Sequence, residues 1–235
     1  MKIAFVTIAT NKYAAYAENL LQSMNEFAFN YSNLKVTLFV FSNVSQLFKN
    51  NFGRILTKGI NISHVPFPLI SLLRYHYYAD CSELNDYDYV FHIDCDMIFK
   101  SNVKEEILSK RVCVSHPGMR VFKNSNDYPY DRNLESNAYV PFGIGKEYYQ
   151  NCFQGGEANE FISMCKILRN RCEEDLRKNY IALWHDESYM NKYMVENEPT
   201  LVLPSTYAQP ESWPLFGETK ILHVDKKHLQ MRITE

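Results

Sequence analysis

The sequence predicts an α/β protein whose first half is built on a parallel sheet. Short apolar, β-branched segments alternate with helix-patterned ones from Lys2 to Ile93, the rhythm of strand–helix–strand units. The run Tyr87–Ile93 is dominated by aromatic and β-branched residues, which suits a strand covered on both faces. Further on, Glu157–Lys178 places Phe161, Cys165, Leu168, Cys172 and Leu176 on one helical stripe.

Lys2–Thr7 reads as the first strand and Ala14–Phe27 as a helix, with Tyr16, Leu20, Met24 and Phe27 near helical spacing. Lys35–Phe41 is the second strand, ended by Ser42-Asn43. Ile60–Val65 reads as a third. Pro66 and Pro68 then precede a helix carrying Leu69, Leu72, Leu73, His76 and Leu84. Beyond Asp96, Arg111–Ser115 and Asn137–Val140 read as short strands around the irregular stretch Pro117–Asn133, the kind of loop that carries binding function. Phe142–Gly145 and Gln154-Gly155-Gly156 read as breaks. A helix starts near Asp186-Glu187, and Leu201–Leu203 and Lys220–Val224 read as strands before the polar, basic Asp225–Glu235.

The 235 residues suit one large domain, with or without a small subdomain, and no linker or internal repeat divides them. A net charge of −2 with scattered Lys and Arg excludes a nucleic-acid footprint. No apolar stretch is long enough to span a membrane. Lys2 followed by Ile3–Ile8 is too short, and lacks the cleavage site, for a signal peptide, so a cytoplasmic location is expected. The six cysteines lack C-x-x-C spacing and read as reduced thiols. Abundant Tyr suits sugar recognition, since each ring offers an apolar face and a polar tip.

Chemistry concentrates where the central strand ends. Asp94 and Asp96 stand one residue apart, and side chains two apart on an extended chain point the same way. Such a pair can hold a hard divalent cation and, through it, a diphosphate, at the sheet edge where α/β proteins bind ligands; a surface turn with two aspartates has the same sequence. Trp184-His185-Asp186-Glu187-Ser188 reads either as a helix start capped by Asp186 or as an aromatic wall with a reactive carboxylate. Gly155-Gly156 permits a close backbone approach or makes a plain turn. Arg74 and the tail residues Lys226, Lys227, His228 and Arg232 are either solvated or phosphate-binding.

Taken in order, Ile8-Ala9-Thr10-Asn11-Lys12-Tyr13, Ile70-Ser71-Leu72-Leu73-Arg74, His92-Ile93-Asp94-Cys95-Asp96, His116-Pro117-Gly118, Tyr128-Pro129-Tyr130-Asp131-Arg132, Ala138–Gly143, Trp184–Ser188 with Asn191-Lys192-Tyr193, and Lys226-Lys227-His228 with Arg232 resemble the family of the ABO histo-blood-group transferases and α-1,3-galactosyltransferases, in its short prokaryotic and viral-type form. The resemblance covers nearly the whole chain. It implies the GT-A fold: a Rossmann-like nucleotide-binding sheet fused to a smaller acceptor-binding part. It further implies retaining transfer of GalNAc or Gal from a UDP-sugar to the 3-hydroxyl of a β-galactoside. Residues 1–100 would mainly bind UDP, 101–224 the acceptor, and 225–235 would close over the donor.

The resemblance implies roles residue by residue. Ile8, Ala9, Thr10 and Tyr13 would meet uracil and ribose, with Ile70 and Arg74 completing that side and Cys95 by the ribose. Asp94 and Asp96 would bind Mn²⁺, or Mg²⁺, and through it the diphosphate. Lys226 and Arg232 would close over the phosphates. Glu187 would stand at the anomeric centre, and His116, Trp184, Glu187, Tyr207 and Glu211 would face the galactoside acceptor. Gln150-Asn151-Cys152 departs from the small residues that relatives use beside the donor sugar. Pro129 replaces a frequent acceptor contact, and Ile8 a frequent aromatic. Two alternatives remain at this stage: a phosphohydrolase with Asp94 as nucleophile, since a strand-end D-x-D is shared with that class, and a non-catalytic UDP- or sugar-binding module.

Overall fold

The computed structural model describes residues 1–30 and 34–226. Its main sheet has seven strands: β1 (Lys2–Ile8), β2 (Lys35–Ser42), β3 (Leu56–Asn61), β4 (Tyr89–Ile93), β6 (Arg111–Ser115), β7 (Tyr149–Glu157) and β8 (Leu201–Leu203), in the order β3-β2-β1-β4-β7-β6-β8. The β3, β2, β1 and β4 strands run parallel. β7 then pairs antiparallel with both β4 and β6. A smaller sheet joins β5 (Met97–Phe99), β9 (Gln209–Pro210) and β10 (Ile221–His223) in the order β5-β10-β9. The helices are α1 (Ala14–Phe27), α2 (Leu69–Leu72), α3 (Arg74–Asp80), α4 (Ala158–Arg177) and α5 (His185–Glu196).

Strand alternation splits the core into two layers. Ile3, Phe5, Phe91 and Phe153 face the layer that holds Leu20 and Met24 of α1. Ala4, Val6, Phe39 and Val90 face Tyr75 and Tyr78 of α3 and Phe161, Cys165 and Leu168 of α4. Central strands thus bury both faces, which explains their unbroken apolar runs. Each fully buried Phe stabilises the fold by about 1.5–3 kcal/mol.

Four expectations need correction. The third strand is Leu56–Asn61 rather than Ile60–Val65: it is the sheet edge, so its residues are mixed in polarity, and Gly59 interrupts the pattern where the Ser45 backbone passes 1.9 Å from the place of a Cβ. Gln154-Gly155-Gly156 is no break but part of the nine-residue β7. A side chain at Gly155 would meet the Val90 carbonyl at 2.3 Å, and Gly156 has φ 144°, so both glycines let β7 lie against its neighbours. Asn137–Val140 forms only an isolated bridge from Tyr139 to Asp131, because the Asp175 carboxylate takes the Asn137 N–H. The helix expected after Pro68 is interrupted at Leu73 and stops at Asp80, with a 3₁₀ turn, Ser82–Asp86, carrying Leu84. Lys227, His228 and Arg232 lie outside the described residues.

Candidate active site

The C-terminal ends of β1 and β4 open onto a cavity of about 310 Å³. β4 stops at Ile93, and the Met97 N–H donates to the Asp94 carbonyl at 3.1 Å, so Asp94-Cys95-Asp96 is a turn rather than extended chain. Both carboxylates nevertheless line the cavity. The turn is fixed from two sides: the Asp94 N–H donates to Cys152 of β7 at 2.9 Å, and the Val224 N–H, just past β10, donates to the Asp96 carbonyl at 3.0 Å.

Cations surround this pair. Arg74, buried at the start of α3, reaches Asp94 and Asp186 at 3.2 Å each. His92 Nε2 lies between Arg74 and Asp94, 2.7 Å from the guanidinium and 3.1 Å from Asp94 Oδ1. Asp96 accepts from His223 Nε2 at 3.1 Å and ion-pairs with the Lys226 ammonium, which lies 5.5 Å from the Tyr13 ring centre. Burial alone would raise the Asp94 carboxyl, but Arg74 and His92 outweigh it and hold it well below the usual carboxylate range. Asp96 is also lowered: burial opposes, and His223 and Lys226 prevail. The ligand atoms of Asp94, Asp96 and His223 all lie within 4.8 Å of one another.

Glu187 sits in the first turn of α5 under different conditions. Its Oε2 accepts the Asn151 N–H at 3.0 Å, and the Asn151 amide donates to Asp186 at 2.6 Å, which ties α5 to β7. Burial pushes the Glu187 carboxyl up to about 7; the Asn151 N–H pulls it down and the Asp186 charge pushes it up. Asp186 does not cap the helix: the N-cap residue is Trp184, whose N–H donates to Ser188 Oγ at 2.9 Å. The Asp186 carboxylate instead bonds Arg74 and Asn151, joining the two groups of charges.

Of the residues expected around the nucleotide, Ile8, Thr10, Tyr13 and Ile70 line this cavity, as do Cys95 and Cys152. Ala9 does not; it is fully buried, with its N–H on the Phe41 carbonyl. Trp184 lines the cavity with its side of the wall half exposed. His116, Tyr207 and Glu211 lie outside its lining. Burial lowers the His116 imidazole to about 4, and its ring meets Tyr148 edge-on at 5.7 Å. The Tyr207 hydroxyl donates to Glu106 at 3.0 Å, and Glu211 accepts the Asp225 N–H at 2.9 Å. Sequence inspection missed His223, Asp186 as an ion-pair partner, and Asn151 as the clamp on Glu187. For His223 the available signal was a histidine three residues before Lys226 on an expected strand.

The sequence model of glycosyltransferase family 6 matches residues 1–232. The chain belongs to that family. Among family relatives, it is 30% identical over 194 residues to the O-antigen biosynthesis glycosyltransferase WbnI of Escherichia coli, covering 80% of each chain. It is 33% identical over 152 residues to the histo-blood group ABO system transferase 2 of Rattus norvegicus, covering 63% of this chain and 45% of that one. It is 30% identical over 148 residues to the globoside alpha-1,3-N-acetylgalactosaminyltransferase 1 of Gallus gallus, covering 62% and 43%. The chain thus spans less than half the length of these two animal relatives. Family 6 membership sets aside the phosphohydrolase alternative, and the mixed sheet flanked by helices is a GT-A-like fold. Among the described residues no helix is long and apolar enough to cross a membrane.

Proposed function

We propose that this family 6 chain moves galactose or N-acetylgalactosamine from a UDP-sugar to the 3-hydroxyl of a β-galactoside, with retention at the anomeric carbon. The observation that carries the proposal is a single cavity in which paired, cation-surrounded carboxylates and the Glu187 carboxylate meet.

Uridine lies against Ile8, Thr10, Tyr13 and Ile70, with its diphosphate toward Asp94, Asp96 and Lys226. The donor set suits a divalent ion: two carboxylates and an imidazole with converging atoms match the oxygen and nitrogen preferences of Mn²⁺, while oxygen-loving Mg²⁺ fits the aspartates alone. Asp94, Asp96 and His223 would hold that ion, which when bound supplies positive charge for the leaving diphosphate. Lys226 adds an ammonium at the same place, and negative charge that develops on the departing phosphate is stabilised more than the ground state. Arg74 keeps Asp94 ionised and oriented.

Glu187 faces the sugar carbon as its bond to UDP lengthens. Its carboxylate stabilises the oxocarbenium-like centre, either as an ion or by forming a transient ester. Asn151 Oδ1 and Gln150 Oε1 are buried acceptors with no hydrogen-bond partner among the described residues. A sugar hydroxyl or an acetamido N–H supplies the missing donor, consistent with either sugar. Trp184 offers an apolar wall to the acceptor.

The test is a donor screen with Mn²⁺ and a 2-fucosyl-galactoside acceptor, with the new linkage read by NMR. An α-1,3-linked Gal or GalNAc product supports the proposal. UDP binding without transfer or donor hydrolysis on any pair would leave a binding module instead.

A further inference from the structure

We propose that Trp213 is a second aromatic platform of the acceptor site, on which the sugar ring next to the reacting galactoside lies. This rests on the transferase proposal above. Trp213 is one of only two tryptophans in the chain and is 46% exposed. Trp184 lines the cavity; Trp213 lies outside its lining and connects to it through a row of contacts. Glu187 has Tyr148 for a neighbour, Tyr148 meets the His116 ring, and His116 leads to Gly118. A side chain begun at Gly118 would find His116 Cε1 and Trp213 Cη2 at 3.4 Å each. The imidazole and the indole therefore both pack at Gly118, which joins Trp213 to this row of contacts.

An exposed tryptophan on a slack loop would say little. This one is held. The Gln209 side chain, itself fully buried, donates to the carbonyls of Pro210, Trp213 and Pro214 and accepts the Phe216 N–H at 3.0 Å. The Trp213 indole stands edge-on to Phe216 at 6.4 Å and 87°, and the Arg120 guanidinium covers the Phe216 ring at 3.9 Å. A buried amide, an aromatic edge and a cation thus fix an apolar surface that faces solvent. Preorganised aromatic surface beside a polar cavity is what a pyranose needs, because its C–H face packs on the ring while its hydroxyls stay wet. Beside it, burial keeps His116 neutral, so the imidazole next to the platform brings no charge.

Two arms test this. In the first, the parent chain is read against Trp213→Phe, so that the difference reports the Trp213 indole alone. Fluorescence of both is followed while methyl β-galactoside or a β-galactosyl disaccharide is added in the presence of UDP and Mn²⁺. A saturable change in that difference with the disaccharide and none with the single ring is expected; no change with the disaccharide overturns the assignment. In the second, Trp213→Ala raises KM for the disaccharide about tenfold, leaves methyl β-galactoside and donor hydrolysis unchanged, and Trp213→Phe restores most of the loss. An unchanged disaccharide KM, or an equal loss in donor hydrolysis, overturns it. Donor hydrolysis by the parent chain reads the transferase assignment separately.

Discussion

Asp94 and Asp96 at the end of β4 and Glu187 at the start of α5 are all carboxylates at least partly shielded from bulk water in one cavity, yet their surroundings set them apart. Arg74, His223 and Lys226 supply more than enough positive charge to keep the aspartates ionised. Glu187 is buried with no cation of its own, only the Asn151 N–H and the Tyr148 side chain, and the Asp186 charge stands beside it, so its proton stays on to about pH 7. The first arrangement is suited to gripping a cation and a diphosphate that carry their own charge. The second leaves a carboxylate unsatisfied until positive charge appears on the sugar. The lesson is that partners rather than residue type assign the roles.

The hardest blow to this contrast is Asp94→Asn with Asp96→Asn. His223 and Lys226 would then lose the anion they face, and Arg74 would keep only Asp186. Loss of transfer by about three orders of magnitude is expected, together with weaker UDP binding. Full activity of the parent chain in chelator would break the metal half of the comparison. Next comes Glu187→Gln. Turnover should fall on the order of 10³-fold while UDP affinity, read by calorimetry, stays within about twofold, the pattern of an interaction made only in the transition state.

The pH profile sharpens the same point. Glu187 acts as a carboxylate, so kcat/KM should rise with pH through about 7 and then level, and the residual activity of Glu187→Gln should lack that limb. Stability runs the other way. The folded chain holds the Glu187 proton more tightly than the unfolded chain does, so its contribution is present at low pH and lost as pH rises toward 7. Glu187→Gln should therefore raise the melting temperature at pH 8, by an amount corresponding to about 1–3 kcal/mol. Lys226→Ala tests the other end more gently. UDP affinity should fall about tenfold, with a steeper dependence on metal concentration and no change in the Glu187 limb.

How far the molecule could be read from its residues follows the same division. β1, α1, β2, β4, β6, α4 and β8 were legible because one-dimensional periodicity records which face is covered. Asp94 and Asp96 were legible because a strand ends in them. β7 was not: glycines, Gln and Asn spell a turn locally, and only its place between β4 and β6 makes them a strand. β3 failed for the opposite reason, an edge strand with little apolar signal. His223 and Asn151 were hidden because their partners are 127 and 36 residues away. No local pattern encodes a contact of that range.

The smallest expected effect separates the supports of the two ends. The turn at Asp94 is pinned by strands, whereas α5 is approached through a loop that Asp131 holds. Asp131 is 2% exposed and accepts from the Tyr180 hydroxyl at 2.8 Å, the Leu183 N–H at 3.0 Å and the Asn133 N–H at 2.9 Å. Leu183 immediately precedes Trp184. Asp131→Asn keeps the volume but turns one acceptor into a donor that faces donors, at a cost of about 1–3 kcal/mol in stability. The loop should loosen without unfolding the sheet. Acceptor KM is then expected to rise roughly threefold while UDP affinity holds, since only the α5 side has lost a tether. An equal fall in UDP affinity would mean that the two ends share one support.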